Sequence, residues 1–233
     1  MLNSPRLKIL LGTLITFACG ATAMADAITV TDVAGREITL DGPAERVILG
    51  EGRQIYLLGL LEPEAPFAHV VGWREDFSQA DPDNYARYAE RFPEIEAIPT
   101  FGGFKDGTFD VEQAASLNPD VVLMNIEAKA ATEDAAYDDK LAQLGIPIVY
   151  VDFREDPIEH TIPSMRIIGQ IMDDEEAAEE FIEFAETQLA RVTDVIAEAN
   201  PERPSVFIDR AGGYSDECCM SFGPANFGDY VTL

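Results

Sequence analysis

Apolar and polar residues alternate in two short segments near the start of the chain. Ile28–Asp32 and Arg36–Leu40 show this alternation, and Val33-Ala34-Gly35 lies between them. A period of two places the apolar side chains on one face of a strand, and a short glycine-containing segment can connect two such strands. The pattern predicts a β-hairpin.

Further along, short apolar runs alternate with stretches of helical spacing. The apolar runs are Arg46–Leu49, Ala68–Gly72, Val121–Met124 and Ile148–Val151, and the helical stretches are Gln54–Leu61, Val111–Leu117 and Ala135–Leu144. Strands that are apolar on both faces and alternate with helices are typical of a parallel sheet covered on both sides. We therefore expect an α/β fold.

A long region of helical periodicity follows the last of these runs. Apolar residues recur from Ile158 towards Ala199, with Pro163 expected in the first turn, where proline is tolerated. Asp173-Asp174 is expected to begin a second helical stretch, because acidic residues favour helix starts. Ser205–Ile208 is predicted to be a new strand.

These elements divide the chain into four predicted regions. Residues 1–25 precede the fold, 26–157 form an N-terminal α/β lobe, 158–200 form a helical connector, and 201–233 begin a C-terminal α/β lobe. Nothing after Pro204 is long enough to bury a core of its own. We therefore expect this second lobe to be incomplete within the sequence.

The first 25 residues have the layout of a secretory signal. Arg6 and Lys8 give a positive start, Ile9–Ala18 is an apolar-to-small run, and Ala23-Met24-Ala25 supplies small residues for cleavage. The run is shorter than the about 20 residues that cross a bilayer. We expect cleavage near Ala25 and a periplasmic protein.

The chain is strongly acidic, with 16 lysines and arginines against 43 aspartates and glutamates and a net charge of −27. Cleavage would remove two cations (Arg6 and Lys8) and no carboxylate, which gives −29. Such a chain repels nucleic acid and anionic lipid, so we expect neither as a partner. We expect a monomer.

Cysteine usage leaves two points open. Cys19 is an alternative lipidation site, although Thr16 stands where lipoprotein signals usually carry leucine. Cys218 and Cys219 are adjacent, and free thiols are unusual in an oxidising compartment. They form either a strained disulfide with each other or a bond to a cysteine outside this sequence.

Arginines follow four of the predicted strands: Arg53, Arg74, Arg154 and Arg210. Ligands of an open α/β sheet bind beyond the carboxyl ends of its strands. Guanidinium groups pair with carboxylates and stack on flat groups, so these four predict an anion site, with Trp73 and Tyr214 as walls. The backbone N–H groups of Gly50-Glu51-Gly52 are expected to contribute.

The alternative for each arginine is a structural ion pair, because each has an acidic neighbour: Glu51, Glu75, Asp152 or Asp209. Catalytic signatures are absent from the sequence: there is no nucleophile elbow, zinc-protease motif, P-loop or dinucleotide fingerprint. Only two histidines occur, and both are expected to be structural. We therefore predict no catalytic residues and no histidine-rich metal site.

The order of several segments resembles the periplasmic binding proteins of the ferric-siderophore, haem and cobalamin ABC importers. The similar segments are Thr29–Arg36, Arg46-Val47-Ile48, Val70-Val71-Gly72, Asp110–Val122 and Leu144–Pro147. The resemblance implies two parallel-sheet lobes joined by a long rigid helix, with the ligand in a shallow cleft. It also implies a membrane permease as partner, onto which a surface glutamate at position Glu112 docks.

The resemblance implies capture of an anionic ferric siderophore or a similar iron chelate, without a resident cofactor. Haem or cobalamin is the alternative cargo, and Tyr214 could ligate haem iron. A hydrolase that uses carboxylates outside the cytoplasm is the alternative of another class, because 43 acidic residues make chance carboxylate pairs plentiful. A sensor that passes its ligand to an outer partner is a further one.

Overall fold

The computed structural model describes residues 26–209 and 220–232. Its first element is the predicted hairpin, in which β1 (Ile28–Thr31) pairs antiparallel with β2 (Glu37–Leu40). Asp32 anchors the turn, because its buried carboxylate accepts hydrogen bonds from the backbone of Arg36 and Tyr150 and pairs with the Arg36 guanidinium at 2.7 Å. The hairpin prediction is confirmed.

Five parallel strands form the central sheet in the order β5-β4-β3-β6-β7. Their bounds are β3 Val47–Leu49, β4 Val70–Arg74, β5 Thr100–Phe101, β6 Val121–Asn125 and β7 Ile148–Val151. Every residue of β3, β6 and β7 is buried, as expected for strands covered on both faces. The predicted α/β class with a parallel sheet is confirmed.

Helices pack on both faces of the sheet. The bounds are α1 Ile55–Leu61, α2 Phe77–Ala80, α3 Pro82–Arg91, α4 Val111–Ser116, α5 Lys129–Asp134, α6 Tyr137–Ala142, α7 Pro157–Met172, α8 Glu175–Ala199 and α9 Phe227–Thr232. Short 3-10 turns lie at Gly52–Gln54, Pro93–Ala97 and Ile126–Ala128. The sequence pattern did not predict α2, α3 and α5.

The two faces of the sheet build two separate cores. Along β7, Val149 and Val151 contribute to a core with α1, α7 and the start of α8, whereas Ile148 and Tyr150 contribute to a core with α4 and α6. Successive side chains of a strand point to opposite faces, so an unbroken apolar run fills both cores. The sheet therefore lies between two helical layers.

The predicted connector consists of two helices. Asp173, with a φ of 59°, separates α7 from α8, and the N–H of Asp174 donates to the carbonyl of Gly169 at 2.8 Å. Arg166 and Glu179 form an ion pair at 2.6 Å across the corner. The break at Asp173-Asp174 agrees with the prediction, whereas the lobe boundaries stay a prediction.

Three details differ from the sequence-based expectations. Pro163 lies in the interior of α7 and not in its first turn, because the helix already begins at Pro157. Ser205–Ile208 forms no strand, and among the described residues nearby a single bridge joins Asp209 to Ser221. Val192 and Ile196, predicted as part of one apolar stripe, are exposed on α8. None of the described helices has the length and apolar composition that would cross a membrane.

Candidate functional site

The loops that follow the strands bring three of the predicted arginines to the carboxyl edge of the sheet. Arg53 follows β3, Arg74 ends β4 and Arg154 follows β7. Arg53 and Arg154 meet on the same carboxylate, that of Glu51: one oxygen pairs with the Nη2 of Arg53, and the other lies 2.9 Å from the Nη1 of Arg154. Arg154 thus shares a partner with Arg53, although Glu51 lies 103 positions away from Arg154 in sequence.

Glu51 is held by a buried polar network. The Nδ2 of Asn125 donates to its carboxylate, and the Nε2 of Gln54 donates to the Oδ1 of Asn125 at 3.1 Å. The backbone N–H of Glu51 donates to the Oε1 of Gln54 at 3.2 Å, which closes the network. All three side chains are buried. Because buried polar groups need such partners, the carboxylate is fixed in place and fixes both guanidiniums.

The backbone N–H groups of Gly50-Glu51-Gly52 donate hydrogen bonds to other groups of the protein. The N–H of Gly50 donates to the carbonyl of Leu123 at 2.8 Å, and the N–H of Gly52 donates to the Oδ1 of Asp76 at 2.7 Å. A side chain at Gly50 would meet the Met124 sulfur at 2.7 Å, so the close approach requires glycine. The expectation that these N–H groups face an anion is wrong, because each already has a partner.

The three described arginines all have carboxylate partners, so their positive charge is partly compensated. Besides Glu51, the Nη1 of Arg154 contacts the Oε1 of Glu127 at 3.4 Å, which also pairs with Lys105 at 3.2 Å. Arg74 pairs with Asp76 at 3.8 Å. Each of the three described arginines therefore forms an ion pair, but only Arg53 does so with the neighbour expected from the sequence, Glu51.

The ion pairs leave some N–H donors of the guanidiniums without a partner among the described residues. Arg154 donates to described groups only through Nη1, and an arginine carries five N–H donors in a planar fork. Burial alone would lower the pKa of Arg154, but the neighbouring Glu51 and Glu127 outweigh burial and raise it. Arg154 is thus permanently charged, fixed in position and able to donate further hydrogen bonds.

Asp152 shapes the loop that carries Arg154. Its Oδ1 accepts the N–H groups of Arg154 at 2.9 Å and Glu155 at 2.8 Å, and its Oδ2 accepts that of Asp156 at 3.0 Å. The Nδ1 of His160 lies 2.8 Å from the same Oδ2. Asp152, Asp156 and His160 are close enough to hold an ion, but these hydrogen bonds already occupy both oxygens of Asp152. The cluster is a structural cap.

This cap predicts a pH dependence of stability. Burial alone would raise the pKa of Asp152, but the hydrogen bonds from Arg154, His160, Asp156 and Glu155 outweigh it and lower the pKa. A lowered pKa means that the stabilisation is present above the pKa of the unfolded chain, about 4, and is lost as the pH falls through the folded pKa.

We expect Asp152→Asn to lower the free energy of unfolding by about 1–3 kcal/mol at neutral pH. Denaturant unfolding at a series of pH values should show the difference from the unchanged chain shrinking between about pH 5 and pH 2. Asp194→Asn, on the exposed part of α8, is the control for loss of one charge. A difference that stays constant across this range would contradict the role of the Asp152 carboxylate.

A cleft of about 400 Å³ opens beside Arg53 and Arg154. Its other lining residues are mostly aromatic: Tyr56, Phe153, Pro157, Phe222, Asn226, Phe227 and Tyr230. Two hydrogen bonds join the wall formed by residues 222–230 to the loop and helix that follow β7. The N–H of Asn226 donates to the carbonyl of Glu155 at 2.7 Å, and the N–H of Ile158 donates to the Oδ2 of Asp229 at 3.0 Å. The volume suits a small molecule.

Tyr56 is fixed in the cleft wall by a second carboxylate. Its hydroxyl donates to the Oδ2 of Asp81 at 2.5 Å. Burial, together with this hydrogen bond, raises the pKa of Tyr56 to about 12. The hydroxyl therefore stays protonated at neutral pH, and the ring offers an apolar face to the cleft and not a phenolate.

The remaining predicted site residues lie elsewhere or outside the described residues. Trp73 is only 3% exposed and packs edge-to-face on Phe67 and Phe77, so its predicted role as a wall of the ligand site is corrected to a role in the core. Glu112 is exposed in the first turn of α4. Residues 1–25 with the predicted signal, and Arg210, Tyr214, Cys218 and Cys219, lie outside the described residues.

Sequence reasoning missed several residues of the cleft. No sequence pattern pointed to four of its lining residues, Tyr56, Phe222, Phe227 and Tyr230. They come from a helix and from a segment that was expected to start a second sheet. Asn125 could have been found, since it is the last residue of a fully buried strand that ends at the same edge as Glu51. A polar residue at that position is expected to face the site.

Known proteins resemble this chain in sequence and in fold. Residues 74–223 match the family model described as periplasmic binding protein. The TroA-like periplasmic binding protein FepB from Veillonella parvula is 30% identical, with a TM-score of 0.76 over 84% of this chain and 57% of that chain. This chain thus spans little more than half the length of that relative. No curated protein sequence matches the chain.

Two more distant structures share the fold. The siderophore-binding protein BauB, bound to a complex of two acinetobactin molecules and ferric iron, is 18% identical with a TM-score of 0.62, over 88% of this chain and 64% of that chain. The molybdate-binding protein MolA from Haemophilus influenzae is 18% identical with a TM-score of 0.55, over 69% of this chain and 52% of that chain. At this identity, the likeness shows the fold alone.

Proposed function

Because the chain belongs to the periplasmic binding protein family, we propose that it is the solute-binding component of an ABC importer and captures a ferric siderophore or a similar iron chelate. It would deliver this cargo to a permease in the inner membrane. Binding of this kind makes and breaks no covalent bond. The predicted signal at residues 1–25 supports export to the periplasm, where such a component acts.

The cleft beside Arg53 and Arg154 is the observation that carries the proposal. Two guanidiniums fixed by Glu51 offer N–H donors to the oxygen atoms that surround ferric iron in a chelate. The aromatic rings opposite offer flat apolar surface to the organic part of such a ligand. BauB, which shares the fold, binds a ferric siderophore complex.

The exposed Glu112 supports a role in transport. It lies in the first turn of α4, is not among the residues that line the cleft, and makes no ion pair with a described residue. We propose that it contacts the permease, as the resemblance implies. The permease would then contact a surface that is separate from the ligand site.

The test is to purify the exported protein from iron-limited cells and to analyse it by native mass spectrometry and absorption spectroscopy. We expect one iron chelate per protein, and calorimetry with hydroxamate, catecholate and carboxylate chelates of Fe³⁺ should detect binding that the iron-free chelators do not show. A Soret band would identify haem as the cargo instead. Binding of molybdate, without binding of any ferric chelate, would overturn the proposal.

A further inference from the structure

Carboxylates contact the cations of the cleft, although no carboxylate is among the described residues that line it. Glu51 lies between Arg53 and Arg154 and contacts both, and its side chain is only 4% exposed. Asp81 holds the hydroxyl of Tyr56 on the adjoining wall. A ligand that enters the cleft therefore meets guanidiniums whose charge is already partly compensated.

The charges at the carboxyl edge nearly cancel in the part of the chain that the structure describes. The cations are Arg53, Arg74, Lys105 and Arg154, and the carboxylates in ion-pair contact with them are Glu51, Asp76 and Glu127. Four positive charges against three negative leave one positive charge. Asp81 also interacts electrostatically with Arg53 and offsets part of this remaining charge.

A site of this kind cannot repay the dehydration of a multiply charged anion. Ions lose several kcal/mol when they leave water, and they recover less of that energy where the opposite charge in the site is already paired. Aromatic side chains are five of the nine lining residues, which favours ligands with a large apolar surface. The guanidinium N–H groups still donate hydrogen bonds to neutral or delocalised oxygen acceptors.

We propose that the cleft selects iron chelates of low net charge, uncharged or with one negative charge, and that Glu51 and Glu127 set this selectivity. The inference rests on the proposed function and narrows its substrate class. Ferric trihydroxamates, in which three hydroxamates neutralise the iron, belong to this class. Ferric tris-catecholates, with three excess negative charges, do not.

A matched pair of ligands tests the inference. Both probes are ferric trihydroxamates on one scaffold, one uncharged and one with three appended carboxylates, and calorimetry measures both affinities for the full chain. We expect the uncharged probe to bind at least about tenfold more tightly, since each uncompensated charge pair at this range changes affinity by about that factor. Equal or tighter binding of the carboxylated probe would overturn the inference.

Variants then assign the selectivity to the carboxylates. Glu127→Gln and Glu51→Gln should each narrow the ratio of the two affinities by about tenfold, whereas Glu179→Gln, the same charge change at a surface ion pair of α8, should leave it unchanged. An unchanged ratio in both cleft variants would contradict the role of these residues. If neither probe binds and no other ferric chelate binds, the proposed function falls, and the inference falls with it.

Discussion

Replacement of Trp73 by alanine should lower the free energy of unfolding by about 3–5 kcal/mol, because a large buried ring is removed and a cavity is left. Trp73 lies at the end of β4, and its indole packs edge-to-face on Phe67 at 5.6 Å and on Phe77 at 5.8 Å. These contacts belong to the core that also contains α1 and α7. Denaturant unfolding followed by circular dichroism measures the loss, since Trp73 is the single tryptophan.

Trp73→Phe is the matched variant, because it retains an aromatic ring at the same position. We expect it to lose less stability than the alanine variant and to bind the iron chelate with affinity close to that of the unchanged chain. If Trp73→Ala folded with unchanged stability but no longer bound the chelate, the indole would act as a ligand wall, and its assignment to the core would be wrong.

Replacement of Arg154 by alanine should weaken binding of the iron chelate by about 10- to 100-fold, since a charge-assisted hydrogen bond contributes about 1.5–3 kcal/mol. Calorimetry with the chelate that the purified protein carries measures the change. Glu51 keeps its contact with Arg53 in this variant, so the carboxylate is not left without a cation. The chain should therefore fold.

Two matched controls separate this effect from a general loss of charge. Arg166→Ala removes a guanidinium from an ion pair on the surface of α7 and should leave affinity unchanged. Arg74→Ala should weaken binding less than Arg154→Ala, because Arg74 pairs with Asp76 and does not line the aromatic cleft. Unchanged affinity in the Arg154 variant would contradict the placement of the ligand.

The sequence pattern predicted four of the five strands of the sheet and the convergence of arginines, but not the two-residue strand β5. Apolar runs such as Ile148–Val151 fill both cores because alternate side chains point to opposite faces. Parallel strands also end at one edge, so residues that follow them are neighbours regardless of their separation along the chain. This argument alone places Arg53 and Arg154 together.

The balance of charge at that edge could not be read from neighbouring residues. Asp152 is close to Arg154 in sequence but caps its loop, whereas the partner of the Arg154 side chain is Glu51, 103 residues away. The choice between these carboxylates depends on the loop geometry. Trp73 and Arg74 were both predicted to line the site, but adjacent residues of a strand point to opposite faces. Only one of the two can therefore face the site, and Trp73 is buried in the core.

A crystal structure of the protein with its iron chelate tests the central claim most directly. We expect the chelate between the aromatic rings and the sheet edge, with its oxygen atoms within hydrogen-bond distance of Arg53 and Arg154 while Glu51 still holds both guanidiniums. A chelate bound at another surface, with this cleft filled only by solvent, would contradict the account.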